Sequence, residues 1–425
     1  MQVFAAGTAA PQLEGGHLPF LRRRHLAGLD GGPRPVRVAR SVAQVEALRE
    51  AWTSMHSDSV QTDIDYFLWS LREETQVVRP HVLAVEREGR TEAVVAARVL
   101  DTRLPCRLGY RTIYAPAVRA ICVLHDGLLG HTDPVTAAAI LDELLAGLKR
   151  GEADLVIFRQ LELDSALHRA ATGRTTFATR QHGVPTDLRW EIGLPQSLEE
   201  YLATVSSATR KGVRRTASRL EQEFGERLSI RTFRDPADLD AFFEDIETVA
   251  ARTYQRRLGV GYLGDAQQRV RLELLMAHGW FRAYILYLDG RPVAFELGEL
   301  YRGRFRSLAG GYDTDYGQHR VGAHLLIKTI EHLAVEPGIS VFDFGLGDAE
   351  YKRKLAQVSR EEADFLLYAG RPRPILVNFA RTALLQLSHA AKAGLRRLCL
   401  LQRLKHRCRR RGAGSPAGPV SAAPV

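Results

Sequence analysis

One stretch constrains the fold more than any other: residues 341–354, with the sequence VFDFGLGDAEYKRK. β-branched and aromatic residues surround Asp343, which predicts a strand. The strand ends at two glycines, where the chain can turn without the steric cost of a Cβ atom. Asp348, Tyr351 and Lys352 follow at once. A buried strand that ends in such a turn brings polar groups to the edge of a sheet, so we predict functional side chains here.

The elements before this strand predict an α/β (α+β) protein. A helical pattern at residues 322–335 precedes the strand, and a three-stranded meander at 281–310 precedes the helix. The first half of the chain has a similar order of elements. Glu88-Gly89 and Asp289-Gly290 mark corresponding hairpins, each followed by arginine. Element order therefore indicates an internal repeat, although the two halves share little sequence.

Four phrases carry a resemblance to a known family: SSATRKGVRR, GRPVAFELG, YDTDYGQHRVGAHLL and FDFGLGDAEYKRKL. With the element order, they resemble the GNAT acyltransferases. The chain looks most like the CelD-type subgroup, which is tied to bacterial polysaccharide synthesis and is distantly similar to the Fem peptidoglycan aminoacyltransferases. The resemblance covers residues 187–368 well and 36–187 weakly.

The resemblance implies tandem GNAT-like lobes, each a mixed, largely antiparallel sheet flanked by helices, plus a basic helical tail. The expected division is a disordered N-terminus, an N-terminal lobe, a C-terminal acyltransferase lobe, a basic amphipathic tail and a disordered end, at residues 1–35, 36–195, 196–370, 371–411 and 412–425. The implied activity is transfer of an acyl group, expected to be acetyl, from acyl-CoA to an amine. An amino sugar of envelope or exopolysaccharide synthesis is the expected glycan acceptor, with another small-molecule amine as the alternative.

The resemblance also indicates where acetyl-CoA would bind. GNAT proteins hold the pyrophosphate in a Q/R-x-x-G-x-G/A turn at a helix N-terminus, where backbone N–H groups face the ligand. Aligned on Gln318, the corresponding turn here has Val321 in place of the first glycine. Aligned on Gly322 instead, it has His319 at the Q/R position. The cofactor-binding candidates are Gln318, His319, Arg320, Val321, Gly322 and Ala323.

Acyl transfer to an amine needs a base for the amine proton and donors for the oxyanion and the departing thiolate. Tyr351 is the candidate donor to the thiolate, and Asp348 or Asp343 the candidate base. Lys352 is a candidate charge for the oxyanion or for a substrate carboxylate. Asp343 has a structural alternative, in which it bonds to nearby backbone N–H groups. Glu296, in the middle strand of the meander, is a second candidate base if it faces the core.

Two further features are candidates for substrate binding. The core of the segment 198–224, SSATRKGVRRTASRLEQEF, is predicted to be helical and carries four cations near its start: Arg210, Lys211, Arg214 and Arg215. Cations there oppose the helix dipole at about 0.3–1 kcal/mol each, which favours an anion site. The alternative is a connector that pairs with acids elsewhere. Asp126, in LHDGLLG, is either a residue of the cleft between the lobes or a turn residue.

The net charge of +10 is concentrated in one segment, because residues 371–411 contain twelve Lys and Arg and no Asp or Glu. Since the rest of the chain is close to neutral, nucleic acid is not an expected partner. From Pro374 onward, apolar and basic residues alternate as in an amphipathic helix at a membrane surface. We therefore expect a cytoplasmic protein whose tail contacts the anionic inner membrane. The alternative is a tail packed on the second lobe.

Other kinds of site have no motif here. The sequence contains no CxxC, HExxH, GxSxG or GxxxxGK[ST], so neither a metal site nor a nucleophilic serine is expected. No apolar run is long enough for a membrane span, and no signal peptide is expected. Two alternatives to the acyl-CoA enzyme stay open: a Fem-type aminoacyltransferase that uses aminoacyl-tRNA, and a non-catalytic scaffold with the same fold.

Overall fold

A computed structural model describes residues 34–397 apart from 110, 184, 258–261 and 263, and side chains as far as residue 391. Its strands are β1 (Val36–Ala39), β2 (Val77–Pro80), β3 (Val82–Arg87), β4 (Arg90–Arg103), β5 (Cys106–Leu108), β6 (Arg111–Tyr114), β7 (Ala117–Gly130), β8 (Leu155–Glu162), β9 (Asp187–Gly193), β10 (Leu228–Phe233), β11 (Phe281–Leu288), β12 (Arg291–Tyr301), β13 (Arg304–Tyr312), β14 (Val341–Leu346) and β15 (Val358–Tyr368).

The helices lie between and after these strands. They are α1 (Val42–Glu46), α2 (Arg49–Ser54), α3 (Ile64–Glu73), α4 (Pro134–Lys149), α5 (Ala166–Arg174), α6 (Leu198–Thr204), α7 (Ser207–Phe224), α8 (Leu239–Ala250), α9 (Tyr254–Arg257), α10 (Ala266–Ala277), α11 (Val321–Val335), α12 (Glu350–Leu355) and α13 (Pro372–Arg397).

Thirteen strands form one mixed sheet, in the order β1-β3-β4-β7-β8-β15-β9-β14-β13-β12-β11-β10, with β2 paired to β4. The same plan occurs twice within it. β3, β4 and β7 are antiparallel and β8 runs parallel to β7, while β11, β12 and β13 are antiparallel and β14 runs parallel to β13. Helices α4 and α11 cross over between the parallel strands. The predicted α/β class and the repeat of element order are confirmed.

Each of the two strands at the centre of the sheet pairs with a strand from the other half of the chain. β15, from near the end of the chain, pairs with β8 of the first half, and β9 pairs with β14 of the second half. β9 and β15 also pair with each other. The predicted boundary at residues 195 and 196 falls between β9 and α6, and strands from both sides of it share one sheet. The division into lobes stays a prediction.

Local sequence signals account for many of the elements. Glu88 and Gly89, like Asp289 and Gly290, have positive φ angles at two-residue hairpin turns, a conformation that favours glycine at the second position. The apolar spacing of residues 41–54 predicts one helix, but they form two, α1 and α2. The spacing of residues 235–257 also predicts one helix, but they form a short 3-10 turn followed by α8 and α9.

The sequence interpretation missed β9 and β10. In β9, the side chain of Arg189 is buried between the less buried Leu188 and Trp190. The strand therefore lacks the alternation of buried apolar and exposed polar residues that identifies a half-buried strand. Its place in the sheet depends on ion pairs with distant strands, which no local pattern shows.

The start of the basic tail forms α13, which packs on the first half. Val377 is buried against residues of β7, β8 and β15. Asn378 Nδ2 donates to the Ala178 and Arg180 carbonyls at 3.0 and 2.8 Å, and Ser388 Oγ accepts from the Gly109 N–H at 2.8 Å. The alternative of a tail that packs back on the second lobe is therefore met in part, because α13 contacts β15 of the predicted second lobe together with strands of the first half. Residues from Leu398 onward lie outside the described part. Among the helices described, none is long and apolar enough to cross a membrane.

Candidate active site

A cavity of about 400 Å³ lies where the two parallel strand pairs end. The register of β13 with β14 stops at Arg306 and Asp343, and that of β7 with β8 stops at Val123 and Phe158. Beyond these points the paired strands separate, and side chains from both halves of the chain line the space. They include His125, Gln160, Arg189, Arg306, Tyr351 and Lys352.

Arg189 of β9 is at the centre of a buried polar network beside the cavity. Its Nε donates to both carboxylate oxygens of Glu362, at 2.8 and 2.9 Å, and its Nη1 donates to Asp343 Oδ2 at 2.6 Å. Nη2 lies 2.6 Å from Gln160 Oε1 and 3.0 Å from His125 Nε2. The guanidinium is about 2% exposed, and its charge-assisted bonds join β9 to four other strands, β7, β8, β14 and β15.

Arg306 of β13 extends this network across the two halves. Its Nη2 donates to Asp126 Oδ2 at 2.8 Å, its Nη1 donates to Ser59 Oγ at 3.1 Å, and its Nε lies 3.4 Å from Asp343 Oδ2. Burial lowers the pKa of His125, which keeps the imidazole neutral among these cations. The second half is thus tied to the first by paired charges.

These contacts decide the roles open to two candidates. Asp343 is fully buried, receives a 2.7 Å bond from the Gly345 N–H and faces two arginines. Burial opposes ionisation, but Arg189 and Arg306 outweigh it and lower the pKa of Asp343. A carboxylate held this way is a poor base, so the geometry favours its structural alternative. Asp126 has a φ angle of 53° and pairs with Arg306, which places it in the network that joins the halves.

Glu296 of β12 faces inward and is about 7% exposed. Its Oε1 accepts a hydrogen bond from Ser307 Oγ. Burial raises the pKa of Glu296 to about 7, although that bond and Lys352 act in the opposite direction. A Cβ atom at Gly310 would come within 2.3 Å of Glu296 Oε2, so this glycine leaves the space that the carboxylate occupies. Ser307 and Gly310 line the cavity, so Glu296 is a titratable group directly behind its lining.

The residues after β14 divide between the cavity and the surface. Tyr351 lines the cavity and is half-exposed, and partial burial with the nearby Glu296 raises its pKa to about 12. Lys352 also lines it, but its Nζ donates to the carbonyls of Phe344, Gly345 and Leu346 at 2.8, 3.2 and 2.8 Å.

All three ammonium protons of Lys352 are thus engaged. An oxyanion or a substrate carboxylate would therefore have to replace a backbone carbonyl at the end of β14 in order to bind the Lys352 ammonium group. Asp348 does not join the cavity. It is exposed and forms a bidentate pair with Arg353, with both distances 2.6 Å, so it does not lie with Tyr351 and Lys352 at the cavity.

The N-terminus of α11 follows β13, at the same end of the strands as the cavity. Arg320 is the N-cap residue in the left-handed region, with φ 56°, and no side chain caps the helix. The amides of Val321, Gly322 and Ala323 are thus left for an anion, which fits a pyrophosphate. The side chain of Val321 is instead a core residue.

Other residues of this turn have structural contacts. A Cβ atom at Gly322 would lie 2.8 Å from the Tyr312 ring, so packing alone requires this glycine. His319 Nδ1 contacts Glu223 Oε2 at 3.1 Å, and His319 Nε2 contacts Gln318 Nε2 at 3.0 Å. The part of the turn that fits a phosphate is therefore its backbone together with the exposed Arg320.

The four cations of α7 differ in their contacts. Arg210 donates to carbonyls at the end of α6, with a 2.8 Å bond from Nε to the Leu202 oxygen. Arg214 Nη2 donates to Glu199 Oε2 at 2.6 Å on the surface. Arg214 thus pairs with an acid, as the connector alternative expects, while backbone carbonyls hold Arg210. Binding of an anion by the four cations stays a prediction. Lys211 and Arg215 are exposed and form no ion pair within the described part.

Sequence reasoning missed Arg189, Arg306, His125 and Glu362. One signal pointed to the two arginines, because an aspartate inside an apolar strand, as in VFDFG, needs a buried cation as partner. Cys122 also lines the cavity, but burial raises its pKa to about 11, which keeps it a thiol at neutral pH. In the described ranges no three His, Cys, Asp or Glu side chains are grouped to hold a metal.

Residues 207–353 match the family described as acetyltransferase (GNAT) domain. This segment contains Glu296, the N-terminus of α11 and Tyr351. No curated protein matches the sequence.

Several solved structures are similar. A crystal structure of FemX has 12% sequence identity and a TM-score of 0.54, covering 79% of this chain and 98% of that chain. The C-terminal domain of a putative lysylphosphatidylglycerol synthetase from Agrobacterium fabrum has 14% identity and a TM-score of 0.45, covering 80% and 97%. A tandem GNAT protein from the clavulanic acid biosynthesis pathway has 13% identity and a TM-score of 0.43, covering 79% and 99%. The likeness to FemX shows a shared fold, and the family match identifies a GNAT domain at residues 207–353.

Proposed function

We propose that the protein is a GNAT-type N-acyltransferase that transfers an acyl group from acyl-CoA to an amine. One observation carries the proposal: a buried carboxyl, Glu296, is hydrogen-bonded to Ser307 directly behind the lining of the cavity, and burial raises its pKa to about 7. A general base is most effective when its pKa lies near the working pH. Asp348 is exposed and Asp343 is held by two arginines, so Glu296 is the base that the geometry favours.

The residues around the cavity divide the proton transfers between them. Glu296 accepts the proton of the acceptor amine as nitrogen attacks the thioester carbonyl, a C–N bond forms and the C–S bond breaks. Tyr351, whose pKa of about 12 keeps it protonated at neutral pH, donates a proton to the departing sulfur. Ser307 holds the Glu296 carboxyl in place.

The acyl donor fits the N-terminus of α11. Acyl-CoA supplies the activated acyl group and a pyrophosphate, and the amides of Val321, Gly322 and Ala323 are uncapped at the matching end of the sheet. Arg320 adds a positive charge beside them. The acceptor then approaches from the wall that the first half provides, where Arg98, Arg159 and Gln160 line the cavity.

In this proposal the reaction takes place in the cytoplasm, and the acceptor is a glycan or small-molecule amine. An amino sugar of polysaccharide synthesis is our preferred acceptor, on the CelD-type resemblance alone. The fold it shares with FemX keeps an aminoacyl-tRNA-dependent reaction as the competing hypothesis.

Ligand-dependent melting separates these hypotheses. Acetyl-CoA should raise the melting midpoint, because a ligand that binds only the native state at 100 times its Kd adds about 2.7 kcal/mol of stability. Release of free thiol from acetyl-CoA in the presence of an amine panel then measures transfer. The matched control is Glu296→Gln, which should keep the melting shift and lose thiol release. A midpoint that responds to aminoacyl-tRNA but not to acetyl-CoA would overturn the proposal, and response to neither would favour a scaffold.

A further inference from the structure

A patch of exposed apolar side chains covers one side of the first half. We call it the outer patch, and it comprises seven of the thirteen large apolar side chains exposed in the described part of the chain. Three belong to α13, three to the β5–β6 hairpin and one to the loop before β9. They are Leu376, Phe379, Leu387, Leu108, Ile113, Tyr114 and Phe177.

The three segments of the outer patch are packed side by side. The rings of Phe177 and Phe379 have centroids 6.2 Å apart. The β5–β6 hairpin reaches α13 through the bond from the Gly109 N–H to Ser388 Oγ. The inner face of α13 is already buried through Val377, so its outer residues are not needed by the core. Leu376 is 70% exposed and Leu387 is 58% exposed. A contiguous patch of such exposed apolar side chains is typical of an interaction surface.

The charge of the segments that carry the outer patch indicates what kind of partner it would bind. Residues 103–119, 175–186 and 371–397, which carry the outer patch, contain eleven Lys and Arg and no Asp or Glu. A groove of about 1150 Å³ lies between the hairpin and the start of α13, and Arg103, Arg107, Arg119, Arg371 and Arg373 line it. Asp101 and Asp154 pair with Arg119 and Arg371, which leaves the groove positive. The chain then continues from α13 with six more cations and no acids up to residue 411.

We propose that the outer patch docks the protein on an anionic lipid bilayer. Apolar side chains that enter the headgroup boundary, flanked by arginines for lipid phosphates, are the composition of a peripheral membrane surface. RNA would use the same cations but would need aromatic faces for its bases, and four of the seven side chains are aliphatic. The surface adds the β5–β6 hairpin and Phe177 to the contact expected of the tail, and it stands independently of the proposed acyl transfer.

Vesicle flotation with the full chain tests this surface. The protein should float with vesicles of equal parts phosphatidylcholine and phosphatidylglycerol, and not with pure phosphatidylcholine. Added salt should weaken the binding, because it screens the charge term. The triple variant Leu376→Ser, Phe379→Ser, Leu387→Ser should reduce the partition coefficient about tenfold or more, since three apolar side chains no longer enter the bilayer.

The matched control is Val42→Ser, Val270→Ser, Val335→Ser, which removes three exposed apolar side chains elsewhere and should float like the wild type. If the α13 variant does not keep the wild-type melting midpoint, Ile113→Ser with Phe177→Ser replaces it. The docking surface is overturned by absence of flotation on phosphatidylglycerol, by equal flotation of patch and control variants, or by binding of a single-stranded RNA in place of vesicles. Thiol release with a soluble amine should be unchanged in the patch variants.

Discussion

The two halves of the sheet share a plan but differ at two matched positions. In the second half, Glu296 follows the hairpin glycine at the same distance as Val95 does in the first. Their partners also correspond, since Tyr284 pairs with Glu296 and Leu83 with Val95. Val95 is fully buried in an apolar core, whereas Glu296 is a carboxyl with a pKa of about 7.

The crossover helices differ in the same direction. The N-terminus of α4 is closed by Asp133, whose Oδ1 accepts from the Thr136 N–H at 2.7 Å. The N-terminus of α11 has no side-chain cap and has Arg320 beside it. A carboxylate at a helix N-terminus occupies the place of an anion, so only α11 is open to a phosphate.

Two copies of one element order can thus hold different kinds of side chain at matched positions. We infer that the second half carries the reacting groups, while the first half supplies a wall of the cavity and the charges that hold both halves together. Arg189 and Arg306 belong to neither half alone, because their partners lie on strands of both.

The largest effect should come from breaking the link between the halves. Arg189→Met leaves Glu362 and Asp343 buried without their shared partner, and loss of one member of a buried ion pair costs about 3–5 kcal/mol. Urea unfolding measures the free energy. Arg189→Lys is the control, since it keeps one charge and loses the fork, and it should be destabilised less. A loss below about 1 kcal/mol for Arg189→Met would show that the network does not hold the halves.

The next largest effect should be a difference in activity between substitutions at the matched positions Glu296 and Val95. Glu296→Gln should lower kcat by about 10²–10³-fold, because the amide cannot accept the amine proton. Val95→Ala, at the corresponding position, should lower stability and leave the rate per folded molecule unchanged. Steady-state thiol release and thermal melting give the two readouts. Equal activity of Glu296→Gln and wild type would remove Glu296 as the base.

The pH profile sharpens the same assignment. Because burial raises the pKa of Glu296 to about 7, kcat/KM should rise with pH through that value as the carboxyl becomes ionised. Below it, the protonated acid cannot act as a base. This limb should be absent in Glu296→Gln. A wild-type profile that stays flat from pH 5 to pH 8 would contradict the assignment.

A third substitution would make the second half resemble the first at its crossover helix. Arg320→Asp places a negative charge where the structure leaves the α11 amides open, and should weaken binding of acetyl-CoA about tenfold. Calorimetry measures the affinity. Asp133→Asn, at the capped helix, is the control and should not change it. Equal weakening by both variants would mean that the effect does not depend on the α11 terminus.

The smallest effect is expected at the edge of the cavity. Tyr351→Phe removes one hydroxyl and should lower kcat about tenfold, less than a typical general acid contributes. Tyr351 is half-exposed, so water can protonate the leaving sulfur in its place. The melting midpoint should stay close to that of the wild type. An unchanged kcat would leave Tyr351 without a role in proton transfer.

Much of the fold could be predicted because its signals are local. The hairpins at Gly89 and Gly290, the Asp133 cap and the helix before β14 depend on residues within a few positions of each other. Glu296 could be named as a base from its place in a strand. Its burial, on which the proposal depends, comes from neighbours on the two flanking strands, β11 and β13.

From the sequence alone we could predict the class of fold and the repeat of elements, and could name Glu296 and Tyr351 as candidate site residues. Only the tertiary structure decided that β9 and β15 sit together at the centre and carry Arg189 and Glu362 to Asp343. It also decided that Lys352 closes a strand end, that Asp348 faces solvent and that Arg210 caps α6. A charged side chain can either bind a ligand or bond to another part of the protein. Residue type does not distinguish the two, because the outcome depends on which distant residues the fold brings next to it.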